Sequence, residues 1–307
     1  MTKVTIIYGE MEVKMLVYNV AGTYIKVDSD NGYLKERMKG FLCNATESPH
    51  MSVQIDQCSR IERPEGSVII EDNINWLRKE KEASGYHIYS LDRTKTNILS
   101  HIDTNLEWTN ANIRCFKPEL DENAPTVLKM WSDHYSFMLM GIVFRNNLLN
   151  NGGIVMHASS IAWEGRGILF TAPSGTGKST HVGLWEKYMG EVVTVVNDDT
   201  PAIRFEKGIP LLCGTPWSGS SDKFQNTEVP VCAIVVLEQA PENSIKLLEI
   251  SEALPMVMPR CFLPYFDEVL MKKAYDVLDK LLNSVKVYYL KCRPDREAME
   301  LVRQWVK

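Results

Sequence analysis

The sequence predicts an α/β protein with a phosphate-loop core in the second half of the chain, preceded by a β-rich N-terminal part. Three observations carry that prediction. Gly167–Thr180 reads as a short buried strand, a loop with two glycines and the opening of a helix. Residues 1–118 show mostly the period of two that marks half-buried strands. From Thr126 onward, stretches of helical periodicity alternate with short β-branched runs.

With 307 residues and 45% apolar side chains, the chain has room for two modest domains or one large one, with a substantial core. Its 34 basic and 39 acidic residues give a net charge of −5 without a Lys/Arg-rich block. That balance argues against a nucleic-acid or anionic-membrane surface and makes any phosphate binding local. The seven cysteines are scattered and contain no C-x-x-C pair. They read as reduced thiols filling the core, not as a disulfide frame or a zinc site. The N-terminus lacks the apolar stretch of a signal peptide, and no apolar run reaches the ~18 residues of a membrane span. A cytoplasmic location is expected.

In the N-terminal part, Val4, Ile6 and Tyr8 alternate, as do Tyr24 to Val27, and Val68–Ile70 and His87–Leu91 are further strand-like runs. The Asn31-Gly32 pair predicts a hairpin turn. His87 and His101, near Asp92 and Asp103, lack paired ligand spacing and are expected on a solvated surface. The run KPELDENAP, residues 117–125, reads as a linker, so domains are expected over 1–118 and 126–307. Thr126–Asn150 carries apolar positions at spacings of three and four, which predicts a long helix with one broad buried face. Trp131 and His134 are expected in its core packing. Asn150 to Gly153 stops it.

Gly153–Ala162 is a strand pattern, and Trp163–Arg166 a turn back into the strand before the phosphate loop. This hairpin sets His157 beside Thr171, either as a satisfied core histidine or as a site residue. In the loop, backbone N–H groups from Ser174, Gly175, Thr176, Gly177, Lys178, Ser179 and Thr180 are expected to converge on the phosphates of ATP. The two glycines permit the torsions this needs. Lys178 is expected to reach the β- and γ-phosphates and the Ser179 hydroxyl to ligate Mg²⁺. Ala172 stands where the usual motif begins with glycine.

The following helix is expected to end near Met189-Gly190. Val192–Asn197 is a continuous β-branched run, hence a buried strand, and it exits at Asp198-Asp199. Acids at that place, beyond a phosphate-loop Lys-Ser, suit Mg²⁺ ligation and orientation of a nucleophile. A plain turn before Pro201 is the alternative. Leu212–Ser221 is a small-residue loop around Trp217. It is read either as a surface turn or, over Gly214–Lys223, as a shield that offers an acceptor the face of Trp217 and the charge of Lys223. Further strands are expected at Val231–Leu237 and Val285–Leu290, and helices at Ser251–Met258, Glu268–Ser284 and, begun by Pro294, Asp295–Val306.

Taken as a set, His157-Ala158-Ser159, the loop APSGTGKST and the pair Asp198-Asp199 resemble the catalytic core of the HPr kinase/phosphorylase family. The arrangement is also similar to ATP-dependent phosphoenolpyruvate carboxykinase. The resemblance covers about Thr126 to Lys307. It implies a P-loop core of that type with a mixed sheet, and an ATP- and Mg²⁺-dependent phosphotransferase. Lys178 and Ser179 would serve phosphates and metal, Asp198 and Asp199 the metal and the hydroxyl proton, and His157 the phosphate site. Arg260 would stand for the family's later arginine near the reacting phosphate. The family's metal-holding glutamate has no clear match in GTPWSGSSDKF, where Asp222 is the only nearby acid, and the N-terminal half matches neither family. The expected protein is therefore a divergent kinase acting on a hydroxyl, a serine of a protein or peptide or a small molecule. Carboxykinase- or phosphatase-type chemistry and a non-catalytic ATP-binding module are the competing readings, and a homo-oligomer is left open.

Overall fold

Side chains that alternate along a strand sort to opposite faces of its sheet, and here two sheets use that rule differently. The computed structural model describes residues 16–44, 48–80, 84–117 and 131–306. The run Val4–Tyr8, residues 118–125 of the expected linker and residues 126–130 of the expected helix lie outside them. The first sheet comprises β1 (Leu16–Val20), β2 (Thr23–Asp28), β3 (Leu42–Cys43), β4 (Met51–Cys58), β5 (Ser67–Ile70), β6 (Ile74–Arg78), β7 (Gly85–Leu91), β8 (Ile98–Asn105) and β9 (Asn110–Phe116). Its order is β3-β1-β2-β4-β9-β8-β7-β6-β5. The pairings β2–β4 and β4–β9 are parallel and the others antiparallel. Ile25, Val27, Met51, Val53, Ile55, Ile113 and Cys115 point to its buried face.

Asn31 does not turn a hairpin. It caps the helix Gly32–Met38, with Oδ1 accepting from the Leu34 N–H at 2.8 Å. Its Nδ2 donates to the Asp133 carbonyl at 2.7 Å and to Ser136 Oγ at 2.9 Å. A distant helix thus fixes the conformation of a dipeptide that is a turn former in isolation. The histidine expectation also fails: His101 is 4% exposed and its Nε2 lies 3.0 Å from His87 Nδ1. Antiparallel register sets His101 opposite Tyr89 and His87 opposite Asp103, so the two rings meet diagonally below the surface. Burial lowers the pKa of His101 to about 4.

The helix Trp131–Asn150 contacts both sheets, packing on β4, β8 and β9 and on β10 (Ile154–Val155). Its buried residues therefore come from more than one face, while His134, expected inside, is exposed and meets the edge of Tyr33 at 5.2 Å. After β10 come β11 (Ala158–Trp163), β12 (Arg166–Thr171), β13 (Val193–Asn197), β14 (Ala202–Glu206), β15 (Ile209–Cys213), β16 (Glu228–Gln239), β17 (Ser244–Leu247) and β18 (Lys286–Cys292). They form a mixed sheet of order β10-β14-β15-β16-β12-β11-β13, with β18 alongside β16 and β17 beyond it. The pairings β12–β16 and β16–β18 are parallel. The expected hairpin is β11–β12, paired from Ala158–Thr171 to Trp163–Arg166.

Both faces of this sheet are covered, which is why its central strands are continuous apolar runs. Ile168, Phe170, Ala233 and Val235 face one core with Val182 and Trp185 of the helix Lys178–Met189 and Met299 and Val302 of the helix Arg296–Trp305. Leu169, Ile234 and Val236 face the other, with Val257 of the helix Ile250–Val257 and Leu278 and Leu281 of Glu268–Ser284. That second core is continuous with the apolar face of the first sheet. The final helix begins one residue later than expected, because Asp295 is its cap and accepts from the Ala298 N–H at 3.0 Å. All seven cysteines are free thiols. No described helix is long and apolar enough to cross a membrane.

Candidate functional site

The strand β12 delivers the chain at Thr171 and Ala172 to a loop that turns on two glycines with positive φ, Gly175 at 79° and Gly177 at 105°. A side chain at either would be strained, and Gly177 is the residue immediately before the helix Lys178–Met189. Lys178 is thus the first residue of that helix and only 8% exposed. Its Nζ donates to the Ala172 carbonyl at 3.2 Å and to His157 Nε2 at 3.0 Å. Burial holds its pKa below the usual lysine value, with Asp199 acting against that shift, Arg260 with it and Asp198 against it.

The hairpin supplies His157 just before β11. Its N–H donates to the Arg260 carbonyl at 2.7 Å and its carbonyl accepts from Thr171 Oγ1 at 2.9 Å, so the backbone is held from two sides. The ring spans the site: Nε2 meets Lys178 and Nδ1 lies 3.1 Å from Asp199 Oδ1. A lysine ammonium donating to Nε2 places the imidazole hydrogen on Nδ1, facing the carboxylate.

The strand β13 pairs antiparallel with β11, as β12 does on the other side, so β12 and β13 run the same way and end at the same edge. Asp198 and Asp199 leave β13 there. Asn197 shapes the exit, since its Oδ1 accepts from the N–H groups of Asp199 at 2.9 Å and Thr200 at 2.7 Å. Its Nδ2 donates to the carbonyls of Thr215 and Trp217, each at 2.9 Å, tying the acid turn to the loop 214–221. Asp198 is 9% exposed, and its Oδ1 is buried without a hydrogen-bond partner among the described residues. A buried carboxylate oxygen left without a donor is a position that fits a cation. Among the described residues no group of three His, Cys, Asp or Glu is placed to hold a metal alone. An ion at Asp198 would take its remaining ligands from water, phosphate and hydroxyl, as Mg²⁺ does.

These residues line one cavity of about 480 Å³, with His157, Lys178, Ser179, Thr180, Asp198 and Asp199 facing Ser218 to Ser221. Ser174 and Gly175 border it and also an adjoining cleft of about 600 Å³, which Thr176, Arg260 and Tyr289 line. The structure therefore brings His157, Lys178, Ser179, Thr180, Asp198 and Asp199 into one cavity, with Arg260 at the neighbouring cleft.

The loop 214–223 is not a plain surface turn, since Ser218 to Ser221 line the cavity and its tryptophan is buried. Leu212 and Cys213 belong to β15, and Trp217 is 6% exposed. Its indole stacks with Phe137 and Phe144 at 5.5 and 5.0 Å, and Nε1 donates to the Phe137 carbonyl at 2.9 Å. The side chain anchors the loop inward instead of offering a face at the surface. Lys223 is bound to Glu186 at 2.7 Å, and Asp222 pairs with Arg37 of the first helix. Arg37 also donates to the Pro216 carbonyl at 2.7 Å and to Ser218 Oγ at 2.8 Å. Asn197 and Arg37 are the functional candidates that the sequence did not suggest. An amide before two acids at a strand end is a legible signal for the first; nothing local marks the second.

Residues 118–275 match the family described as SynChlorMet cassette protein ScmC. Among proteins with curated descriptions none matches the chain. A solved structure described as the Hpr(Ser) kinase/phosphatase from Coxiella burnetii is similar at 12% identity and a TM-score of 0.30, over 49% of this chain and 89% of that one.

Proposed function

The chain belongs to the SynChlorMet cassette protein ScmC family, and from the residues of its cavity we propose that it transfers the γ-phosphoryl group of ATP to a hydroxyl acceptor. The carrying observation is the buried, donorless Oδ1 of Asp198 in the same cavity as the loop amides and Lys178. On this reading the amides of residues 174–180 and the ammonium of Lys178 bind phosphate oxygens, and Asp198 with Ser179 Oγ holds Mg²⁺. Mg²⁺ there supplies charge to offset what builds on the phosphate oxygens. Asp199 accepts the proton of the acceptor hydroxyl, with His157 orienting the carboxylate through Nδ1–H. Arg260, lining the adjoining cleft with the loop residues, adds positive charge on the phosphate side. The acceptor oxygen gains the phosphoryl group, ADP leaves, and the proton passes from Asp199 to solvent. A serine of a protein or peptide and a small alcohol are both acceptors of this class.

The test is calorimetric titration of Mg-ATP into the parent protein and Lys178→Ala, followed by transfer of labelled γ-phosphate to candidate hydroxyl compounds. Binding that Lys178→Ala weakens at least about tenfold, together with label on an alcohol oxygen, supports the reading. Equal Mg-ATP affinity in the two proteins would sink it.

A further inference from the structure

Asp199 and Gly219, which line the first cavity, also line a second one of about 360 Å³ that no phosphate-loop residue borders among the described residues. Its walls are apolar, formed mainly by Tyr135, Ile142, Phe144, Trp217 and Phe262. Two charged residues line it: Asp199, shared with the first cavity, and Arg145 of the helix Trp131–Asn150, whose Cζ lies 5.0 Å from the ring centre of Phe262. Arg145 is half-buried, and among the described residues it has neither a hydrogen-bond partner nor a carboxylate within ion-pair reach; desolvation lowers its pKa to about 10. Every other arginine near the site is engaged or faces the phosphate cleft: Arg37 on Asp222, Arg204 on Glu228, Arg260 by the loop. Beyond that contact with the Phe262 ring, the guanidinium stands among aromatic and aliphatic side chains without an opposite charge, an arrangement that costs stability. Such costs concentrate where a ligand completes the site.

We propose that this cavity receives the acceptor, and that the acceptor is an apolar carboxylic acid whose carboxylate pairs with Arg145 while its hydroxyl lies at Asp199. The inference rests on the phosphoryl-transfer reading for the role of Asp199, but the pairing with Arg145 stands on the cavity alone. A carboxylate suits the site better than a phosphate, because one planar guanidinium can meet both carboxylate oxygens, whereas a dianion needs further donors that these walls lack. The volume lies within the roughly 300–1,000 Å³ of small-ligand sites.

The experiment is calorimetric titration of the full chain, without nucleotide, with 4-phenylbutyrate and its uncharged counterpart 4-phenylbutyramide. The acid should bind about tenfold or more tightly than the amide, the scale of a charge-assisted pair in a buried site. Arg145→Met should abolish that preference, since the carboxylate then has no guanidinium to pair with. Ile142→Trp should fill the cavity and remove binding of both compounds with Arg145 in place. Equal binding of acid and amide by the parent overturns the proposal, as does a preference that survives in Arg145→Met. A lower melting temperature in Arg145→Met without any change in binding also overturns it, leaving Arg145 as a structural partner of Phe262. Mg-ATP titration of the same parent sample separates the two readings. Acid binding without Mg-ATP binding removes the phosphoryl-transfer reading and keeps the carboxylate cavity; Mg-ATP binding without acid preference does the reverse.

Discussion

His157 Nδ1 lies 3.1 Å from Asp199 Oδ1, and because the other ring nitrogen is met by Lys178, the imidazole has only one way to present its hydrogen. It presents that hydrogen to the carboxylate and so fixes which oxygen of Asp199 stays free. His157→Ala should therefore lower kcat, by about 10²-fold on the scale of a positioned acid–base group, while KM for Mg-ATP changes little. His157→Gln, which can still donate, should recover part of the loss. Steady-state kinetics on folded protein decides: equal effects on kcat and KM, with no rescue by Gln, would make the ring mere packing.

Asp198→Asn keeps volume and removes the charge whose Oδ1 has no donor. The Mg²⁺ concentration for half-maximal turnover should rise and turnover itself fall by about 10²-fold or more. The melting temperature measured without metal should rise, because a buried carboxylate oxygen without a donor is replaced by an uncharged amide. A fall in melting temperature with unchanged Mg²⁺ dependence would return the residue to a structural role.

Trp217→Ala should cost about 3–5 kcal/mol of stability, the range for removing a large buried aromatic, and leave the Phe137 carbonyl without its indole donor. Chemical denaturation should show the loss even without any acceptor present. Trp217→Phe, which keeps the stacking on Phe144 and loses the hydrogen bond, should cost less than half as much.

His181 is 3% exposed, 4.7 Å from the ring of Phe170, and both its ring nitrogens are buried without partners among the described residues. Burial lowers its folded pKa to about 4, from the ordinary histidine value of 6.5. The folded state therefore binds fewer protons than the unfolded one between these values. The stability is whole above pH ~6.5 and declines as pH falls toward ~4, by a total of about 3 kcal/mol for this group. Urea unfolding at pH 7 and pH 5 should show a smaller decline in His181→Leu than in the parent. Equal declines would place the acid sensitivity elsewhere, with the His87–His101 pair as the next candidate.

The parts of the molecule that were legible in the sequence are those whose causes are local. The phosphate loop announces itself because Gly175 and Gly177 need torsions other residues avoid, and the β11–β12 hairpin because its turn and both strands lie within Gly153–Thr171. Glu268–Ser284 was readable to the residue, having an apolar stripe and Asp267 as cap. Asn31 and His134 were misread, and the burial of Trp217 was not foreseen, for the opposite reason. A helix about a hundred positions away captures the Asn31 amide, Trp217 reaches back to Phe137, and His134 falls on the one open side of a helix buried on others. The roles of Asn197 and Arg37 depend on carbonyls of a loop that no window around either residue contains.

The apolar core that runs without a break from Tyr18 through Phe144 and Val155 to Leu281 has a bearing on how such a protein can diversify. Trp76 stacks on Phe266 at 4.3 Å, and Arg37 holds the loop that borders the phosphate-loop cavity, so the first sheet is joined to the second by side chains as well as by the chain. Exchange of N-terminal halves between relatives would cut through packed aromatic contacts and leave mismatched volumes on both sides. Variation in this protein should consequently travel as matched sets of substitutions across that seam, and not as transplanted modules.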